Sequence, residues 1–220
     1  MPALRVVIVI DYQNVHLVGA GLFEPNLASH ECLVHPLYFA EQLIRVRNLR
    51  QGEGHATAEL ASVLVYRGLP SALHDPKPYA RNLAQKNEWE RDPKVVVTLR
   101  PLKYRYQRTS DGRKATDANG VAIITGKEEK GVDVLCALAM VREARDPGVD
   151  LVVLASQDSD LEPALDEAIL LGAAKIETAS WFDSQNPRAS HEIRPSSRRI
   201  WNTRLGAEVF RAAQDRREYS

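Results

Sequence analysis

The chain is predicted to fold as an α/β domain, a central and mainly parallel sheet between two layers of helices, and three observations carry that prediction. Apolar runs of strand length alternate with amphipathic stretches of helix length, the pattern of strand–helix–strand crossovers. The runs Val6 to Ile10 and Leu151 to Ala155 are apolar at every position, as strands covered on both faces require. A length of 220 residues, 44% hydrophobic and 26% charged, suffices for one substantial core rather than two.

Taken in order, Leu4 to Ile10 reads as a buried strand, Leu37 to Leu49 as a helix, Ala61 to Arg67 as a strand, and Pro78 to Arg91 as a helix. Val95 to Leu102 is a third strand. Residues 103–125 depart from the pattern: Lys103-Tyr104-Arg105-Tyr106 alternates, Ser110-Asp111-Gly112 signals a turn, and Val121 to Ile124 is a second apolar run, which together predict a hairpin-like insertion. Val132 to Ala144 reads as a helix, Leu151 to Ala155 as a strand, Leu161 to Leu171 as a helix stopped by Gly172, and Ala174 to Ala179 as a strand. The domain is therefore expected to span residues 1–180. In residues 181–220, a Pro-, Ser-, Asn- and Arg-rich surface loop over Phe182 to Ser197 and a helix over Thr203 to Arg216 are expected to pack on it.

Two cysteines, Cys32 and Cys136, are too few for a disulfide framework or a cysteine-rich zinc site, and they fit a reducing compartment. The apolar run ending at Asp11 is too short for a signal-peptide core or a membrane span, so a soluble, cytoplasmic protein without a membrane partner is expected. Formal net charge is zero, yet it is unevenly spread. Residues 131–187 hold 3 basic and 11 acidic residues, between 94–130 with 9 basic and 4 acidic and 188–220 with 8 basic and 4 acidic. Basic flanks could hold a polyanion while cations screen its phosphates from the acidic block.

Asp11 and Asp158 lie just past two of the predicted parallel strands, where open sheets gather ligands. The crossover after the third strand returns through the helix at Val132, so Asp133 in its first turn can reach the same crevice. Hard carboxylate oxygens with few His or Cys suit Mg²⁺ or Mn²⁺. Each acid also has a structural role open to it. Asp11 could cap the next element, Asp133 could be the N-cap of its helix, and Asp160 could cap the helix that contains Pro163. Asn14, beside Asp11, could orient a carboxylate, a water or a phosphate. The alternation at 103–106 could be an edge strand or a binding platform that uses Lys103 and Arg105.

Rival chemistries fit less well. A haloacid-dehalogenase-like phosphatase wants a second aspartate where Gln13 stands, a dinucleotide-binding turn wants glycines absent from Asp11 to Asn14, and a topoisomerase-primase-type site wants a glutamate at the first strand end. No P-loop or zinc-ligand spacing occurs. The ordered set Ile10-Asp11-Tyr12-Gln13-Asn14, Lys130-Gly131-Val132-Asp133-Val134, and Leu154-Ala155-Ser156-Gln157-Asp158-Ser159-Asp160-Leu161 with Pro163 resembles the NYN-domain family, a LabA-containing branch of the PIN-like ribonucleases, over roughly residues 4–180.

That resemblance implies a PIN-like three-layer α/β/α sandwich and Mg²⁺- or Mn²⁺-dependent cleavage of RNA. Transferred position by position, Asp11, Asp133 and Asp158 look like the catalytic, metal-binding acids, joined by Asp160 as a further metal-binding acid. Asn14, Lys103, Arg105 and Lys130 are the expected substrate contacts. The chain departs from the family at Gln157, where glycine is common, and at Leu161, where an aromatic is common. RNA is the expected partner, with a homo-oligomer and a protein regulator as further possibilities. A non-catalytic RNA-binding module is the alternative function.

Overall fold

The computed structural model describes residues 2–52 and 54–219. Its strands are β1 (Leu4–Asp11), β2 (Ala58–Leu69), β3 (Val95–Pro101), β4 (Lys103–Tyr106), β5 (Ile124–Glu128), β6 (Leu151–Ala155), β7 (Lys175–Trp181) and β8 (Asn202–Leu205). Its helices are α1 (Tyr12–Phe23), α2 (Pro36–Gln51), α3 (Pro76–Trp89), α4 (Val132–Ala144), α5 (Glu162–Leu171) and α6 (Ala207–Ala212). Six strands form one sheet in the order β3-β2-β1-β6-β7-β8, every neighbouring pair parallel. The antiparallel pair β4-β5 stands apart from it.

Alternation along the strands divides the core of this one domain into two apolar layers, one on each face of the sheet. On β1, Val6, Ile8 and Ile10 point into a cluster with Phe39 and Leu43 of α2, Trp89 of α3 and Phe210 of α6, whereas Val7 and Val9 meet Cys136 and Met140 of α4 and Leu165 of α5. The result is a three-layer α/β/α sandwich, as the consecutive apolar runs require. Burial of each such aliphatic side chain contributes about 1.5–3 kcal/mol.

The chain departs from the sequence expectation in three places. α1 follows Asp11 without a break, although Gly19 and Gly21 depress its helix propensity. Gly19 is needed there: a Cβ would lie 2.7 Å from the Phe210 ring and 2.9 Å from the Trp181 indole nitrogen. The helix expected over Thr203 to Arg216 is instead the strand β8, which adds to the sheet edge beside β7, followed by the short α6. The tail beyond residue 180 thus completes the sheet rather than only packing on it. Finally, the hairpin's second strand lies at Ile124–Glu128 rather than Val121 to Ile124, with its bulge between Arg105 and Tyr106.

One charged pair is sealed inside. Arg47 of α2 grips Glu177 of β7 through Nε at 3.1 Å and Nη2 at 3.0 Å, with side-chain exposures of 2% and 0%. Lys175 also reaches Glu177, at 2.7 Å. Such pairs add little net stability, but removing one partner strands a buried charge. Arg47→Ala is expected to lower unfolding free energy by about 3 kcal/mol, because Lys175 compensates only in part; urea denaturation measures it, and a loss below about 1 kcal/mol would contradict the assignment.

Candidate metal centre

The sheet's connections diverge between β1 and β6, and the two strand ends open a crevice there. β1 ends at Asp11, which is only 6% exposed and caps α1 by accepting from the Asn14 backbone N–H at 3.4 Å. β6 ends at Ala155, and the next residue, Ser156, bridges the gap: its hydroxyl donates to Asp11 Oδ2 at 3.0 Å and accepts from the Asp158 N–H at 3.1 Å. Asn14 ties the same loops from the other side, its Oδ1 accepting from the Gln157 N–H at 2.8 Å.

Asp11, Asn14, Lys130, Asp133, Asp158 and Asp160 all line one cleft of about 510 Å³. Asp133 is not the helix N-cap; that position is Gly131, whose φ of +79° is a left-handed conformation suited to glycine. The Arg100 side chain braces this turn, donating to the Lys130 carbonyl at 2.5 Å. Asp133 therefore sits in the first turn of α4 and is free to face the cleft. The capping role open to Asp160 belongs instead to Asp158, whose Oδ1 accepts from the Asp160 N–H at 3.0 Å and starts a 3₁₀ turn before α5.

Lys103 and Arg105 do not line the cleft. Arg105 pairs with Glu128 across the hairpin, and Lys103 lies opposite the same glutamate. The tyrosines between them are no stacking platform either, since they fasten the hairpin to the β2–α3 connection. Tyr104 donates to Asp75 and accepts from the Ser71 N–H, while the Tyr106 hydroxyl meets His74 Nε2 at 2.9 Å. The alternation was real, but it points its aromatic face at the protein.

Glu129 is the site residue that sequence reasoning missed. Its carboxylate accepts from the Gly68 N–H, and the Gln13 amide, oriented nitrogen-inward, donates to both its oxygens at 2.6 and 3.0 Å. Gly68 leaves room for it, because a Cβ there would lie 2.5 Å from Glu129 Oε1. Among the described residues none of Asp11, Glu129, Asp133, Asp158 and Asp160 forms an ion pair. Burial pushes the Asp11 carboxyl up to about 6, opposed by the Ser156 and Asn14 hydrogen bonds and helped by the Asp158 and Asp133 charges. Burial also raises Glu129, with Asp11 adding to it.

The donor set, five carboxylates with no His or Cys facing the cleft, fits a hard divalent cation in kind. Asp11, Asp133, Asp158 and Asp160, the expected metal-binding acids, share this cleft. Among the described residues no three His, Cys, Asp or Glu side chains are placed to hold one ion. Asp11 is turned towards Ser156 and Asp158 towards its own 3₁₀ turn, so a small ion here would keep much of its water, as Mg²⁺ readily does. Among the described residues, too, no helix is long and apolar enough to cross a membrane.

The Asp11 shift has a definite sign. The unfolded chain loses the proton near pH 3.8 and the folded chain near 6, so stability falls as pH rises through that window and stays lower above it. In EDTA, Asp11→Asn is expected to be more stable than the wild type by about 1–3 kcal/mol at pH 8 and nearly equal to it below pH 4. Thermal unfolding across that range measures the difference, and parallel pH profiles for the two proteins would refute a buried, repelled Asp11.

The chain matches no family model and no curated protein. It is similar to the crystal structure of a protein of unknown function from Vibrio parahaemolyticus RIMD 2210633, at 17% identity and a TM-score of 0.44, covering 80% of this chain and 81% of that one.

Proposed function

We propose that the protein is a metal-dependent endoribonuclease of the PIN-like, NYN-domain kind. The observation that carries the reading is the convergence of Asp11, Glu129, Asp133 and Asp158 on one cleft where the strand order reverses, with no ion pair to neutralise them among the described residues. Burial and the neighbouring acids raise the proton affinity of Asp11 and Glu129, so a divalent cation relieves both burial and repulsion. The order of the three sequence motifs supports the same reading.

Asp11, Asp133 and Asp158 would hold the ion, with Asp160 and Glu129 at the rim. When bound, Mg²⁺ or Mn²⁺ supplies positive charge against the phosphate and acidifies water. The chain's own residues do the rest. Ser156 orients Asp11, Gln13 and the Gly68 N–H fix Glu129 at the cleft, and Lys130 at the cleft wall would meet the RNA backbone. That no three carboxylates among the described residues are spaced to grip one ion favours the alternative, a non-catalytic RNA-binding module.

Mg²⁺ at millimolar concentration is expected to raise the melting temperature of the wild type and leave that of Asp11→Asn unmoved. Asp133→Asn and Asp158→Asn are each expected to reduce RNA cleavage by about 100-fold or more while the circular dichroism stays that of the wild type. RNA binding that survives EDTA, with no cleavage under Mg²⁺ or Mn²⁺, would establish the binding module instead.

A further inference from the structure

The Gln157 side chain has two partners. Its Oε1 accepts from the Trp181 N–H at 3.0 Å and its Nε2 donates to the His191 carbonyl at 2.6 Å. One amide thereby fastens the loop after β7 to the residue preceding Asp158. The fastened loop forms one wall of a second cleft, of about 600 Å³, over the carboxyl ends of β7 and β8.

The two clefts share one edge of the sheet. β7 is one strand beyond β6 and β8 the next, and neighbouring strands lie about 4.8 Å apart, so the second cleft is about 10 Å from the acidic one. That is the separation of near neighbours along an unstacked polynucleotide.

Its lining suits a base rather than a phosphate. The Arg204 guanidinium lies 4.9 Å from the centroid of the half-buried Phe182 ring, and the Arg204 side chain is 50% exposed, leaving a planar cation open to the cleft. Glu192 holds that plane in place, accepting from Arg204 Nε at 3.2 Å, from Asn202 Nδ2 at 3.0 Å and from Arg194. Two arginines are balanced by Glu192 and Glu162, so the cleft has little net charge with which to capture a phosphate. A guanidinium backed by an aromatic ring is a stacking surface for any base, and the carboxylates offer acceptors to base N–H groups.

We propose that this cleft is a nucleobase subsite, stacking on Arg204 one base of a single-stranded RNA whose neighbouring phosphate lies over the acidic cleft. Gln157 sets the spacing between the two clefts. This rests on the ribonuclease reading and adds to it the substrate class, unpaired RNA read at a flanking position.

The test follows cleavage of a short single-stranded RNA with Mg²⁺ and its binding by fluorescence anisotropy in EDTA. Arg204→Ala, an exposed position with an unchanged melting temperature expected, should raise both KM and the dissociation constant about tenfold with kcat within about twofold. Gln157→Gly should shift both in the same direction. Replacing the flanking nucleotide by an abasic one should cost the wild type as much as Arg204→Ala does and cost that variant nothing further. Wild-type KM in Arg204→Ala, or additive losses with the abasic RNA, overturns the subsite and leaves the ribonuclease reading standing. Failure of the wild type to bind or cleave RNA under any divalent metal removes both.

Discussion

The hydrogen bond from the Ser156 hydroxyl to the Asp11 carboxylate joins the ends of the two parallel strands, β1 and β6, between which the strand order reverses. The same oxygen accepts from the Asp158 N–H, so one serine fixes the start of α1, the turn before α5 and the distance between their acids. A buried carboxylate with only two neutral donors, the Ser156 hydroxyl and the Asn14 N–H, is poorly compensated, and the field it leaves governs the region. Asp133 and Asp158 add repulsion, and Cys136 beneath them is held protonated by burial and by the acids together.

Two kinds of residue surround that field. Asn14, Gln13, Gly68 and Gly131 are structural in the strict sense that they position backbone or carboxylate without carrying charge. Lys130 lines the cleft and Arg100 braces the turn beside it, and neither forms an ion pair with the acids among the described residues. A direct salt bridge would have neutralised the acids. The sealed Arg47–Glu177 pair, remote in sequence and closed to solvent, shows how differently the fold treats a charge it neutralises.

Much of this was legible in the sequence, for identifiable reasons. Val6 to Ile10 and Leu151 to Ala155 announce fully buried strands because no polar residue interrupts them, and the aspartate just after each marks the carboxyl edge where sites form. α1 was hidden because its glycines serve packing against Phe210 and Trp181, a tertiary demand no local propensity records. β8 was hidden because only Thr203 and Leu205 point inward in a strand of four residues. Glu129 sits in the run Lys127-Glu128-Glu129-Lys130, which reads as solvated surface, and only the missing Cβ of Gly68, 61 residues away, reveals the space it fills. At Lys103 to Tyr106 the period of two was correct, but a period does not say which face meets the protein.

The distance in sequence between Asp11 and Ser156, 145 residues, sets a clock on synthesis. A ribosome adding about 5–20 residues per second finishes β1 and α1 some tens of seconds at most before β6 emerges to lie beside β1. Until then Asp11 lacks its hydroxyl donor and Asp158, and β1 displays an unpaired strand edge on the side that β6 will take. The nascent chain therefore carries no complete acid cluster near the messenger that encodes it, and the cluster closes only when most of the polypeptide has left the exit tunnel.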